Sequence, residues 1–81
     1  MKVKVKFFAI LRERAGIDQI TRELPDGSTV AELWQGLQRD YPKLNVPGIR
    51  LLYAVNQNYV SADHPLAERD EIVFIPPVSG G

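Results

Sequence analysis

Residues 2–7 read Lys-Val-Lys-Val-Lys-Phe. Strict alternation of this kind is the period of a half-buried strand, with Val3, Val5 and Phe7 on one side and Lys2, Lys4 and Lys6 on the other, solvated side. A strand that is wet on one face belongs to a sheet whose opposite face needs cover, so the rest of the chain has to supply it. The best source is residues 29–41. There Val30, Leu33, Trp34, Leu37 and Tyr41 recur at the spacing of one helical face, Thr29 and Glu32 have the form of a capping box, and Pro42 stops the helix. Trp34 lies inside this apolar stripe with no basic residues interleaved, which makes it a core residue and not a platform for nucleic-acid bases. Gly36 costs the helix about 1 kcal/mol relative to alanine; it marks either the close approach of another element or simple tolerance.

The other elements are short. A helical turn is expected over residues 9–16, closed by Gly16 in the left-handed conformation, and a strand over 17–24 with Ile20 and Leu24 inward. Pro25-Asp26-Gly27 is a turn. Residues 51–55 read as a strand, Asn56-Gln57-Asn58 as a turn and Tyr59-Val60 as a short return. An irregular stretch over 61–69 precedes a final strand over 71–75. The order strand, strand, helix, strands predicts an α+β fold, one main helix packed on one face of a mixed sheet. We expect a single domain over residues 1–75 and a projecting segment over 76–81.

Composition removes several function classes. Ten basic residues balance ten acidic ones, so no global field draws the 81-residue chain to nucleic acid or to an anionic membrane. No apolar run approaches the ~18 residues of a membrane-spanning helix, and a cytoplasmic protein is expected. The absence of cysteine excludes disulfides, thiolate metal sites and a cysteine nucleophile. A single histidine, His64, sits in the turn-like Ser61-Ala62-Asp63-His64-Pro65 and reads as a surface turn residue; no metal site and no Ser-His-Asp arrangement is expected.

The C-terminal block carries the strongest functional signal. In Ile72-Val73-Phe74-Ile75 both pleat faces are apolar, whereas one helix covers one face of a sheet. Unless loops cover both sides, either Ile72 with Phe74 or Val73 with Ile75 is left for a partner, and periodicity alone does not choose between the pairs. Pro76-Pro77 then fixes φ and ends the ladder, so Pro76 to Gly81 is expected to project. Six residues reach at most ~20 Å. Side chains shrink from Val78 and Ser79 to nothing at Gly80 and Gly81, which suits a tip that enters a narrow channel in another protein and presents its carboxylate there. A carboxylate is inert at neutral pH until it is activated, for which attack on the α-phosphate of ATP is the usual route. An amine would then give an isopeptide, and a sulfur donor a thiocarboxylate. In a chain without cysteine, the C-terminal carbonyl is the natural place to carry transferable sulfur.

Four segments together, FFAILRERAG (7–16), LPDGSTVAEL (24–33), AVNQNYVSADHPL (54–66) and DEIVFIPPVSGG (70–81), resemble the molybdopterin synthase small-subunit family, ubiquitin-like β-grasp sulfur carriers. The resemblance runs nearly end to end, and the last segment and the Ala54-Val55-Asn56 strand are its most specific parts. Arg69 departs from a glycine common before the Asp-Glu pair, and Val73 from a smaller residue. The resemblance implies a β-grasp fold, activation of Gly81 by an E1-like adenylating enzyme that uses ATP, conversion to a thiocarboxylate through a persulfide relay, and insertion into the large subunit. There Gly81, preceded by Gly80, would deliver sulfur to cyclic pyranopterin monophosphate. It further implies an assembly of two large and two small subunits, acid-base residues supplied by the large subunit, and no cofactor bound by this chain. Phe8, Val73, Ile75, Pro76, Pro77, Val78 and Ser79 are the expected partner contacts. Two alternatives share the tail chemistry: a thiamine-type sulfur carrier, which usually lacks the long 7–16 segment, and a ubiquitin-like modifier joined to lysines. A binding domain with an idle tail is the fourth reading.

Overall fold

A computed structural model describes residues 1–45 and 50–76 of the chain. The alternation that opens the sequence becomes β1 (Lys2–Phe7), in which Val3, Val5 and Phe7 are essentially sealed from solvent while Lys2 and Lys4 are exposed. The short helix α1 (Ile10–Ala15) follows and ends on Gly16, whose φ of 78° is the left-handed stop its glycine allows. Next come β2 (Gln19–Glu23), the main helix α2 (Val30–Asp40), and then β3 (Leu52–Val55), β4 (Asn58–Val60) and β5 (Glu71–Ile75). These form one mixed sheet in the order β2-β1-β5-β3-β4. Only β1 and β5 run parallel, with Lys4 opposite Glu71 and Phe7 opposite Phe74. The other neighbours are antiparallel. The first and last strands therefore share the middle of the sheet.

Helix α2 starts where the sequence places its cap. The Thr29 hydroxyl accepts from the Glu32 amide at 3.2 Å while the Glu32 carboxylate accepts from the Thr29 amide at 2.9 Å. Such a reciprocal cap is worth roughly 1 kcal/mol. The next amides of the first turn find tertiary partners: Val30 donates to the His64 carbonyl and Ala31 to the Ala62 carbonyl at 2.8 Å. The stretch expected to be merely irregular is thus a backbone cap for the helix, and His64 serves it through its main chain. Leu66, buried on the core, anchors that stretch.

Val30, Leu33 and Leu37 of α2 meet Val3, Val5, Phe7, Ile72 and Phe74 of the sheet in one core. Trp34 packs at its margin, ring centre 4.7 Å from that of Phe74, and Tyr53 meets Phe74 edge-on at 5.8 Å. Pro42 does more than stop the helix: Pro42–Leu44 is a 3-10 turn that drives Leu44 fully into the core. An Arg22–Asp40 ion pair ties β2 to the end of α2. Among the described residues, no helix is long and apolar enough to cross a membrane.

Candidate functional site

Among the described residues, no layer covers the face of the sheet away from α2. Pairing registers show which side chains share that face. Lys4 lies opposite Thr21 and Glu71, Lys6 opposite Gln19 and Val73, Val73 opposite Ala54, Ala54 opposite Tyr59, and Ile75 opposite Leu52. The result is a divided surface. Toward β2 it is charged and polar, with Lys6 pairing Glu71 at 3.5 Å. Toward β3 and β4 it is apolar, built from Val73, Ile75, Ala54, Leu52 and Tyr59.

The ambiguity of the last strand is resolved by this register. Ile72 and Phe74 are fully buried against α2, and Val73 and Ile75 are half-buried on the open side. Being the central strand, β5 has neighbours that shield the flanks of Val73 and Ile75, so these two lose only part of their exposure. Leu52, Tyr59 and Phe8 are more prominent, at 51%, 72% and 51% exposed. Phe8 follows Phe7 directly, one step beyond the Phe7–Phe74 pair and therefore level with Ile75, and borders a depression with Lys6 and Gln19. Leu52 and Tyr59 were not among the residues expected at a docking surface. Their alternation is visible in the sequence, but nothing there reveals that β3 lies beside β5.

Beyond Leu52 and Tyr59 the apolar surface continues into a depression of about 330 Å³ between β3 and β4, lined also by Leu51, Tyr53, Val60 and Ser61. At the other end of β5, Asn56 forms a latch. Its amide nitrogen donates to Asp70 at 2.8 Å, its side-chain oxygen accepts from the Glu71 backbone at 3.0 Å, and its own backbone N–H donates to the Glu71 carbonyl. Asn56 and Gln57 both have positive φ, the geometry of a tight hairpin turn. The latch fixes where β5 begins, and five residues later the chain leaves at Pro76, half-buried at the apolar end of the open face. Of the expected site residues, Phe8, Val73, Ile75 and Pro76 thus gather at one end of the sheet; Pro77, Val78, Ser79, Gly80 and Gly81 lie outside the described residues. Among the described residues no three acidic or histidine side chains are grouped to hold a metal ion.

A mixed five-stranded sheet clasping one helix, with parallel first and last strands at its centre and an uncovered apolar patch where the last strand ends, defines a ubiquitin-like β-grasp protein. The crystal structure of SAMP1 from Haloferax volcanii, a small archaeal modifier protein, superposes with a TM-score of 0.88 at 25% identity, covering 100% of both chains. A complex of subunits 1 and 2 of the molybdopterin-converting factor from Helicobacter pylori contains a chain that matches with a TM-score of 0.70 at 25% identity, again over 100% of each chain. In sequence, the molybdopterin synthase sulfur carrier subunit of Escherichia coli is 47% identical, spanning 98% of this chain and 99% of its own. The profile of the ThiS family matches residues 5–81. The chain belongs to the ThiS family and, within it, to the molybdopterin synthase sulfur carrier subunits.

Proposed function

We propose that this chain is the sulfur-carrying small subunit of a molybdopterin synthase. The observation that carries the reading is the position of the apolar patch at the point where β5 leaves the sheet for the glycine-ended segment: a partner seated on Val73, Ile75, Leu52, Tyr59 and Phe8 receives that segment directly. The small-subunit likeness to the Helicobacter pylori complex and the 47% identity to the Escherichia coli carrier support a large subunit as that partner.

In this reading the Gly81 carboxylate attacks the α-phosphate of ATP on an E1-like enzyme and pyrophosphate leaves. A persulfide sulfur displaces AMP from the acyl-adenylate, and a thiol then cleaves the resulting acyl disulfide to free the thiocarboxylate. Within the large subunit the thiocarboxylate sulfur attacks a carbon of cyclic pyranopterin monophosphate, a C–S bond forming as that carbon's C–O bond breaks and the oxygen leaves, and water then cleaves the acyl–sulfur bond to restore the carboxylate. Two charged copies serve each dithiolene in succession, in a cytoplasmic assembly of two large and two small subunits. This chain contributes the carrier carbonyl and the docking face; acid-base groups come from the large subunit.

The deciding experiment is intact-protein mass after incubation with an adenylating enzyme, ATP and a sulfur source. The expected result is a gain equal to replacing one oxygen by sulfur, absent from a variant lacking Gly81. A second reading, a modifier joined to lysines, is favoured by the fit to SAMP1. No mass gain, with lysine-linked adducts appearing in a lysate, would establish that second reading and overturn the first.

A further inference from the structure

The Pro25-Asp26-Gly27-Ser28 turn between β2 and α2 plays no part in the carrier reading, yet it concentrates the conditions for one covalent reaction. It holds the chain's only Asp or Asn followed by glycine. The Asp26 side chain is 97% exposed and pairs loosely with the N-terminal ammonium at 3.8 Å, an exposed contact that restrains it little. Gly27 has a φ of 87°, and a Cβ added to it would meet nothing within 4 Å, so the space around its backbone is open. The Gly27 amide has no hydrogen-bond acceptor among the described residues, and the turn is closed by one backbone bond, Ser28 amide to Pro25 carbonyl, at 3.2 Å. Opening this backbone bond costs about 1 kcal/mol, and the part-buried Ser28 hydroxyl, which also donates to the Pro25 carbonyl, adds a second bond of similar size.

We infer that Asp26-Gly27 is a site of spontaneous isoaspartate formation, and so a substrate site for an isoaspartyl carboxyl methyltransferase. The Gly27 amide nitrogen attacks the Asp26 side-chain carbonyl carbon; a C–N bond forms, the C–O bond to the carboxyl hydroxyl breaks, and water leaves with the amide proton. The succinimide then takes up one water. Opening at the main-chain carbonyl places the α-carboxylate on a branch and routes the backbone through the β-carbonyl, with no net change in mass and no redox partner. The product lengthens the main chain by one methylene directly before Gly27, one residue ahead of Ser28, whose carbonyl accepts from Leu66 and whose hydroxyl donates to Pro25 at 2.8 Å, and two ahead of the Thr29 cap. The lesion therefore strikes the joint between helix and sheet.

The test ages the purified full-length chain at neutral pH and physiological temperature beside an Asp26→Glu variant, which cannot form the five-membered ring. Labelled methyl uptake from S-adenosylmethionine and an isoaspartyl methyltransferase is then measured, and the modified peptide is mapped. Uptake at least fivefold above the variant, located in the peptide containing residues 25–28, is the expected result. Equal uptake in the two proteins, or label located at another aspartate, overturns the inference.

Discussion

At the scale of single residues, backbone conformation assigns opposite fates to glycines that look alike in the sequence. Gly36 lies inside α2, and a Cβ there would meet only the guanidinium ends of Arg22 and Arg39, at 3.6 and 3.7 Å, which are ordinary contact distances. The helix cost of this glycine is therefore recoverable: Gly36→Ala should stabilise the fold by about 1 kcal/mol, read from the midpoint of denaturant unfolding. Gly16 has more free space, with nothing within 4 Å of an added Cβ, but a φ of 78°, so Gly16→Ala should lose roughly 1 kcal/mol in the same assay. Arg69 is the reciprocal case. Its φ of 68° lies in the left-handed region that glycine occupies without strain, and its backbone amide, which donates to the Lys2 carbonyl at 2.7 Å, survives a change to glycine. Arg69→Gly should match or exceed the parent stability by up to about 1 kcal/mol, the relief of strain offsetting the added freedom of the unfolded chain; a clear loss would show that the arginine side chain has a role that the geometry does not reveal.

At the scale of elements, β5 separates stability from association residue by residue. Phe74 is fully buried between Trp34 and Tyr53, and Phe74→Ala should cost about 3–5 kcal/mol, enough to unfold much of a domain this small. Ile75, its neighbour, lies half-buried on the open face. Ile75→Asp should stay folded, with a far-ultraviolet circular dichroism spectrum like that of the parent, yet bind the large subunit at least a hundredfold more weakly, because it places a charge at the centre of the apolar patch. Retained binding by that variant would remove the open face as the docking surface. Thr29 supplies the corresponding control on α2: Thr29→Ala should lower stability by about 1 kcal/mol and leave association unchanged, since the cap lies on the helix side of the molecule.

At the scale of the whole molecule, the central parallel pair joins residues 4–7 to residues 71–74, so the core cannot close until the two ends of the chain meet. Closure over more than sixty residues is entropically slow, and refolding should occur in milliseconds to seconds, where helical bundles of similar size take microseconds to milliseconds. Stopped-flow fluorescence of Trp34, whose ring abuts Phe74 of β5, reports that closure directly. The same topology serves the proposed function, because the segment that follows Ile75 is attached to the central strand of the sheet.

The sequence by itself determined the local structure. Alternation defined β1, helical spacing and the Thr29–Glu32 box defined α2, and glycine and proline marked most of the turns, because each of these follows from dihedral preferences and periods acting over a few residues. It also determined what the chain lacks: it has no cysteine and a single histidine, so thiolate chemistry on its own side chains is ruled out. Which face of β5 is core was decided only by tertiary structure. Ile72 with Phe74 and Val73 with Ile75 are nearly equal in hydrophobicity, and the choice rests on which pair the parallel register with β1 turns toward α2. The same holds for Leu52 and Tyr59, which became part of the patch when β3 paired with β5, and for Ala62 and His64, whose carbonyls cap α2 from across the fold. The physical reason is one of range: propensity and period are local, whereas pairing between strands is settled by the global burial of side chains, which no short window of sequence contains.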